Sequence, residues 1–353
     1  VRNALSKAKR PVILVGNGVR SANAVADFEQ FLSKYPIPVV YSASAPDTYG
    51  TEHDLSIGSV GIMGCSRAGN FAIQNSDLIL VLGNRLSPMT TGSDYCKFGR
   101  SGKTIVVDID PVEHSKKTVS IDKLIISDVG DFLRELINYK LSPTSMDWRD
   151  KCIKWKKLFP NCEDKFKGGE LVDLYYLSEA LSENLLESSV VVTDSGLAEL
   201  ILPSNISFRK GMRCIHPASQ GSMGYALPAA VGAYYSSKLP VVTVVGDGSI
   251  MMNLQELETI RYHNLPIKII VINNNAYAVI RKRQVDIFRT RTIGTDPANG
   301  VSCPDFKKVA DTFGLAYVFI SSTKELQKKI KEVLEMDGPV LCEIMSPEDQ
   351  DYI

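Results

Sequence analysis

Charge of one sign is what this sequence most plainly lacks. Its 353 residues carry 40 Lys and Arg against 40 Asp and Glu, a formal net charge of zero. That balance provides no basic stripe for nucleic acid and no acidic tail for a solvated interaction arm. No apolar run is long enough to span a bilayer, so no membrane partner is expected. Cysteine pairing is also missing. The seven cysteines, at 65, 96, 152, 162, 214, 303 and 342, include no CxxC and are odd in number. This argues against a disulfide frame or zinc site and for reduced thiols in a cytoplasmic compartment. The four histidines, His53, His114, His216 and His263, show no metal spacing. His263 reads as a helix C-terminal residue, where a cation is favourable. No signal-peptide pattern precedes the first strand. The chain opens on Val1 rather than Met and stops in a polar stretch, so a longer protein is expected to be only partly represented.

What is present is an alternation of apolar runs and helical patterns, in a composition that is 44% hydrophobic and 23% charged. Strands are predicted at 11–15, 39–41, 77–83 and 104–109, with helices over 22–34 and 129–139. A second series has helices at 174–186, 223–237 and 253–263 and strands at 190–193, 241–246 and 267–272. It ends with helices at 304–313 and 324–336 and strands at 317–320 and 340–345. Apolar strands alternating with helices imply parallel sheets with crossover helices. The expected fold class is therefore α/β, with two doubly wound parallel-sheet domains. The domains are placed at 1–140 and 171–353. Residues 141–170, rich in Lys with two Pro and two Gly, are placed as a connection holding a helix near 147–158.

The strongest local signal is Val241–Gly248, VVTVVGDG. An apolar strand ends at Gly246, and Asp247 follows at the carboxyl end, where parallel sheets bind ligands. Gly246 and Gly248 would allow a bulky anion close to the backbone, and Ser249 leads towards a helix N-terminus. The next strand, IKIIVI, ends at Asn273, Asn274 and Asn275. A right-handed crossover returns it to the same edge. Asp247 and Asn274 are 274 − 247 = 27 positions apart, a sensible length for one such unit. One carboxylate, one amide oxygen and a backbone carbonyl suit Mg²⁺, which takes phosphate oxygens and water as its other ligands.

These segments, with GSMGYALPAAVGA at Gly221–Ala233 and LPIKIIVINNNAYAVI beyond it, resemble the cofactor domain of thiamine-diphosphate enzymes of the acetolactate synthase type. The resemblance implies metal ligation by Asp247, Asn274 and the main-chain carbonyl of Ala276. It implies that Met223 wedges the cofactor into its V-shape, and that the main chain of Gly221 and Met223, with Ser222 between them, holds the pyrimidine. Ser195 and Gly196 of TDSG would face the diphosphate with Gly246, Gly248 and Ser249. Tyr277 and Ala278 begin a stretch that lines the thiazolium and substrate pocket. Where relatives carry Gln and His after the TDSG glycine, this chain has Leu197 and Ala198.

Residues 1–140 resemble the central domain of the same family through RPVILVGNGVRSA, NSDLILVLGNRL and VVDIDPVE. In the synthases that domain holds FAD, and Arg85 matches a flavin-contacting arginine, so FAD is a candidate cofactor. The family's Met-His-Gly reads Ile62-Met63-Gly64 here, and Met89 replaces a second arginine. Gly16-Asn17-Gly18 alone is a weak dinucleotide signal.

The reaction implied is decarboxylation of a 2-keto acid, with pyruvate the first candidate, and carboligation to a carbonyl acceptor. A simple decarboxylase, a non-catalytic cofactor-binding homologue and a nicotinamide-dependent dehydrogenase remain as alternatives. By resemblance, the activating glutamate lies in a pyrimidine domain outside these residues and comes from a neighbouring subunit, so a homodimer or tetramer with shared active sites is expected. Glu179, Glu183 and Glu187 read as solvated charges. So do Arg281, Lys282 and Arg283, with contact to an anionic acceptor as their other reading.

Overall fold

The computed structural model describes residues 1–352. They form two compact α/β units, Val1–Pro160 and Asn161–Tyr352.

The first unit holds β1 (Pro11–Val15), β2 (Val39–Tyr41), β3 (Ser56–Ser59), β4 (Leu78–Leu82), β5 (Lys103–Asp108) and β6 (Lys123–Ile126). They form a parallel six-stranded sheet in the order β3-β2-β1-β4-β5-β6. The central runs PVILV and LILVL are buried along their whole length, as strands covered on both faces must be. Of the segment 141–170, helix Met146–Leu158 packs on this unit. Trp148 is 3% exposed and donates its indole N–H to the Pro11 carbonyl at 2.9 Å, and Cys152 is fully buried in the same core. Residues from Asn161 onward belong to the second unit.

The second unit holds β7 (Val190–Thr193), β8 (Arg213–Ile215), β9 (Val241–Gly246), β10 (Ile267–Asn273), β11 (Ala316–Ile320) and β12 (Val340–Met345). Their order, β11-β12-β10-β9-β7-β8, is again parallel throughout. From β7 the chain passes outward to β8 and then returns to β9 on the other side. The order therefore reverses between β7 and β9, which makes the carboxyl ends of those two strands a switch point where such sheets bind ligands.

Three strands absent from the sequence reading, β3, β6 and β8, are all sheet edges of three or four residues. The helix expected to begin at Met223 begins at Ala226. Pro228 thus falls in its first turn, where no backbone donor is required. Four further helices of six residues or more, Arg2–Lys7, Arg67–Asn75, Leu197–Asn205 and Ala278–Ile287, were not anticipated. No described helix is long and apolar enough to cross a membrane.

Candidate cofactor site

Parallel pairing sets Ile272 of β10 beside Gly246 of β9, so Asp247 and Asn273 leave the sheet side by side. Asp247 opens the short helix Asp247–Ile250 and is 2% exposed. Its Oδ1 accepts the Gly248 N–H at 2.7 Å and its Oδ2 the Asn275 N–H at 2.6 Å. Burial pushes its carboxyl above the usual range, opposed by those N–H groups and by the Cys303 thiol. Among the described residues no basic side chain pairs with it, and no cluster of three His, Cys, Asp or Glu is present. A buried, hydrogen-bonded carboxylate without a countercharge is a donor set that a divalent cation completes. Asn274 is also buried. Its Oδ1 accepts the Ala276 N–H at 3.1 Å, which leaves one lone pair of that oxygen for a cation. Asn275 between them has φ +53°, a left-handed conformation that Asn tolerates. These residues fit Mg²⁺.

The glycines divide by role. A Cβ on Gly246 or Gly196 would meet nothing within 4 Å, and one on Gly221 only the Glu199 carboxylate at 3.5 Å. This leaves open space at three adjoining loops. Gly248 differs, because a Cβ there would lie 2.0 Å from the Tyr277 ring. Its space is filled by Tyr277, so the expected approach of an anion does not account for this glycine. Tyr277 itself is held through its N–H on the Thr295 carbonyl at 2.8 Å, and Ala278 begins the helix that follows.

The segment Gly221–Met223 is exposed, with Met223 37% accessible, so Met223 is not a core methionine. The group that holds this segment is Asp194 of the TDSG motif, fully buried after β7. Its Oδ1 accepts the N–H groups of Ser195 at 2.9 Å and Gly224 at 3.0 Å, and its Oδ2 that of Ala226 at 2.8 Å. The Ser249 hydroxyl also bonds Asp194, so Ser249 is already committed inside the protein. Asn253 Nδ2 donates to the Gly224 carbonyl at 2.8 Å. The sequence placed Asp194 in the TDSG loop after a strand, facing the diphosphate by resemblance, and gave it no part in holding Gly224 and Ala226. Leu197 and Ala198 are buried in the apolar core. His216 stands 3.8 Å from Glu199.

Comparison with known proteins identifies these surroundings. Residues 194–344 match the family described as thiamine pyrophosphate enzyme, C-terminal TPP binding domain, and residues 1–136 match thiamine pyrophosphate enzyme, central domain.

The chain belongs to the thiamine pyrophosphate enzyme family.

It is similar to the acetolactate synthase large subunit of Cyanidium caldarium, 30% identical over 353 residues, covering 97% of this chain and 58% of that protein. It is likewise similar to the acetolactate synthase isozyme 2 large subunit of Escherichia coli K12, at 29% identity over 97% of this chain and 61% of the relative. Acetolactate synthase 3, chloroplastic, of Brassica napus is 29% identical over 98% and 54%. This thiamine pyrophosphate enzyme chain thus spans a little over half the length of such relatives. Asp247, Asn274, Ala276, Gly246, Ser195, Gly196 and the Gly221–Met223 segment all lie within the matched cofactor domain.

The central-domain residues behave differently. A Cβ on Gly16 would lie 2.2 Å from the Gly83 carbonyl oxygen, and one on Gly18 2.6 Å from the Gly83 Cα. The two glycines are needed so that the loops after β1 and β4 can touch. Arg85 is paired with Glu113 at 3.2 Å, and Lys116 donates to the Arg85 carbonyl at 2.8 Å. The Arg85 side chain is otherwise open, 64% exposed.

Other expectations are corrected or met in place. Arg281 is not a solvated charge: it bridges Glu348 at 2.7 Å and Asp296 at 3.7 Å. Glu183 and Glu187 are exposed, whereas Glu179 pairs with Lys167 at 2.7 Å. His263 caps the helix Glu256–Tyr262. None of the seven cysteines lies in a disulfide among the described residues.

Proposed function

We propose that the complete protein catalyses Mg²⁺- and thiamine-diphosphate-dependent decarboxylation of a 2-keto acid, pyruvate first, and joins the two-carbon unit to a carbonyl acceptor. The observation that carries this reading is the buried, uncompensated Asp247 beside Asn274 at the carboxyl edge of the sheet, in a chain whose relatives are named acetolactate synthases. Thiamine diphosphate, when bound, supplies the electron sink for decarboxylation. Asp247, the Asn274 amide and the Ala276 carbonyl would hold the metal. The open backbone at Gly196 and Gly246, with Ser195 beside it, would admit the diphosphate. Gly248, Ser249, Tyr277 and Ala278 shape the wall around it. Met223, projecting from a segment tied down by Asp194, would set the cofactor's bend, with Gly221 and Ser222 against the pyrimidine. Leu197 and Ala198, buried in the core, bring no polar group to substrate, so the acceptor is oriented by other residues.

The activating carboxylate is assigned to a pyrimidine domain of a neighbouring copy, which makes the working unit at least a homodimer. Seven scattered cysteines with no CxxC pair support a cytoplasmic enzyme. Flavin is given no part, since the close contact of Gly16 and Gly18 with Gly83 accounts for both glycines. The visible spectrum of the purified full-length protein checks this, and a bound flavin would overturn it.

The reaction is tested by incubating full-length protein with Mg²⁺, thiamine diphosphate and pyruvate and identifying the product by mass. Acetolactate is the expected product. Acetaldehyde with carbon dioxide would instead establish a simple decarboxylase. Cofactor binding without turnover of any 2-keto acid would establish a non-catalytic homologue.

A further inference from the structure

Behind the proposed metal site lies a second carboxylate that no step so far uses. Glu343 sits in the middle of β12 and is 7% exposed. In register, Glu343 lies opposite Val271 of β10 and Phe319 of β11. Asn273 and Tyr317 are each two residues from those partners, so all three side chains share one face of the sheet. Glu343 Oε1 accepts the Asn273 Nδ2–H at 2.6 Å, and Oε2 accepts the Tyr317 hydroxyl at 2.5 Å. Among the described residues no basic side chain pairs with Glu343. A buried carboxylate in a strand is costly unless hydrogen-bonded, so its presence calls for a reason beyond packing.

That reason lies in how Asn273 is oriented. An amide side chain can be turned either way, and its neighbours decide which end points where. Ionised Glu343 only accepts, so the Asn273 NH₂ must face it. The Asn273 oxygen is then left to accept the Asn275 N–H, at 3.1 Å, and that same N–H lies 2.6 Å from Asp247 Oδ2. The reversed amide would set two acceptors against each other at Glu343 and two donors against each other at Asn275. Tyr317 occupies the second carboxylate oxygen and keeps Glu343 from turning away. One polar chain thus runs Tyr317, Glu343, Asn273, Asn275, Asp247, and it holds Asn275 in its left-handed conformation between Asn274 and Ala276.

We propose that Glu343 is the positioning residue of the metal loop: through the Asn273 amide it fixes residues 273–276 so that Asn274 and Ala276 meet the same cation as Asp247. The inference rests on the Mg²⁺–thiamine-diphosphate reading of this site. Outer partners that orient metal ligands are typically worth about 10–100-fold in metal affinity.

The test is a titration of full-length apoprotein with Mg²⁺ at fixed thiamine diphosphate, followed by calorimetry, with the thermal unfolding of each variant recorded alongside. Glu343→Leu, which has the right bulk and no acceptor, is expected to raise the Mg²⁺ needed for half-saturation by about 10–100-fold. Glu343→Gln can present its oxygen to Asn273 and its NH₂ to the Tyr317 oxygen, and is expected to stay near the parent. Asn273→Asp sets two carboxylates together and is expected to weaken Mg²⁺ as Glu343→Leu does. Combining Asn273→Asp with Glu343→Gln restores a donor facing an acceptor at every link and is expected to recover most of the affinity. That rescue does not require Glu343→Leu to fold. An unchanged Mg²⁺ requirement in Glu343→Leu or Asn273→Asp, or a double variant no better than Asn273→Asp, would overturn the proposal and leave Glu343 a packing residue. If the parent itself shows no Mg²⁺-dependent binding of thiamine diphosphate, the underlying reading fails, and this inference with it.

Discussion

Asp247 keeps a carboxylate out of water with four partners, Gly248, Asn274, Asn275 and Cys303, that are all N–H or S–H donors, and no cation. Such a group costs several kcal/mol when left unpaired, which is the force available to capture a divalent ion. Asp247→Ala is accordingly expected to abolish Mg²⁺-dependent binding of thiamine diphosphate to the full-length protein. Calorimetric titration checks this, and retained tight binding would refute the ligand assignment. The same residue also shows what the sequence conveyed at this scale. Asp247 and Asn274 were legible because their spacing across one crossover is a property of the chain order. Asp194 stood in the TDSG motif, yet its part was not legible, because it is to accept N–H groups 30 and 32 positions away, from Gly224 and Ala226. Glu343 was hidden for a similar reason: in sequence it is one polar residue inside an apolar strand.

Among the elements, the loops after β7, β9 and β10 do the positioning, and their glycines act by different means. Gly246 and Gly196 leave space open, whereas Gly248 yields its space to Tyr277. Gly248→Ala must push the Tyr277 ring aside, an overpacking that typically costs about 1–3 kcal/mol. The expected outcome is a lowered unfolding temperature together with weaker cofactor binding. Adding Tyr277→Ala should recover the unfolding temperature in part, because it removes the clash. No recovery in the double variant would mean that the contact with Tyr277 is not the cause. Central strands were readable from their apolar runs, since burial on both faces leaves little room for polar residues. β3, β6 and β8 were missed because short edge strands need no such run. The helix Ala278–Ile287 was missed because its basic residues look solvated in sequence, while the fold pairs Arg281 with Asp296 and Glu348.

For the molecule as a whole, the two units make separate predictions. Hydrogen exchange on the full-length protein, read by mass spectrometry, resolves both. Thiamine diphosphate with Mg²⁺ at about one hundred times Kd stabilises the bound state by about 2.7 kcal/mol. Slower exchange is expected over 194–196, 221–226, 246–249 and 273–278. Trp148→Ala removes a buried indole and its hydrogen bond to Pro11, a change of about 3–5 kcal/mol. Faster exchange is expected over Pro11–Val15 and Met146–Leu158, with none in the cofactor loops. An effect of Trp148→Ala on those loops would contradict the division into two units.

By itself the sequence determined the α/β class, the two sheets, the central strands and the Asp247–Asn274 pair, since each follows from local apolar patterning or from spacing along the chain. Tertiary structure alone decided the rest. It assigned the helix Met146–Leu158 to the first unit through Trp148, gave Gly16 and Gly18 to Gly83, filled Gly248 with Tyr277, and joined Glu343 to Asn273 in the loop after β10. These are contacts between atoms distant in sequence, and only strand order and register bring such atoms within hydrogen-bond or van der Waals reach.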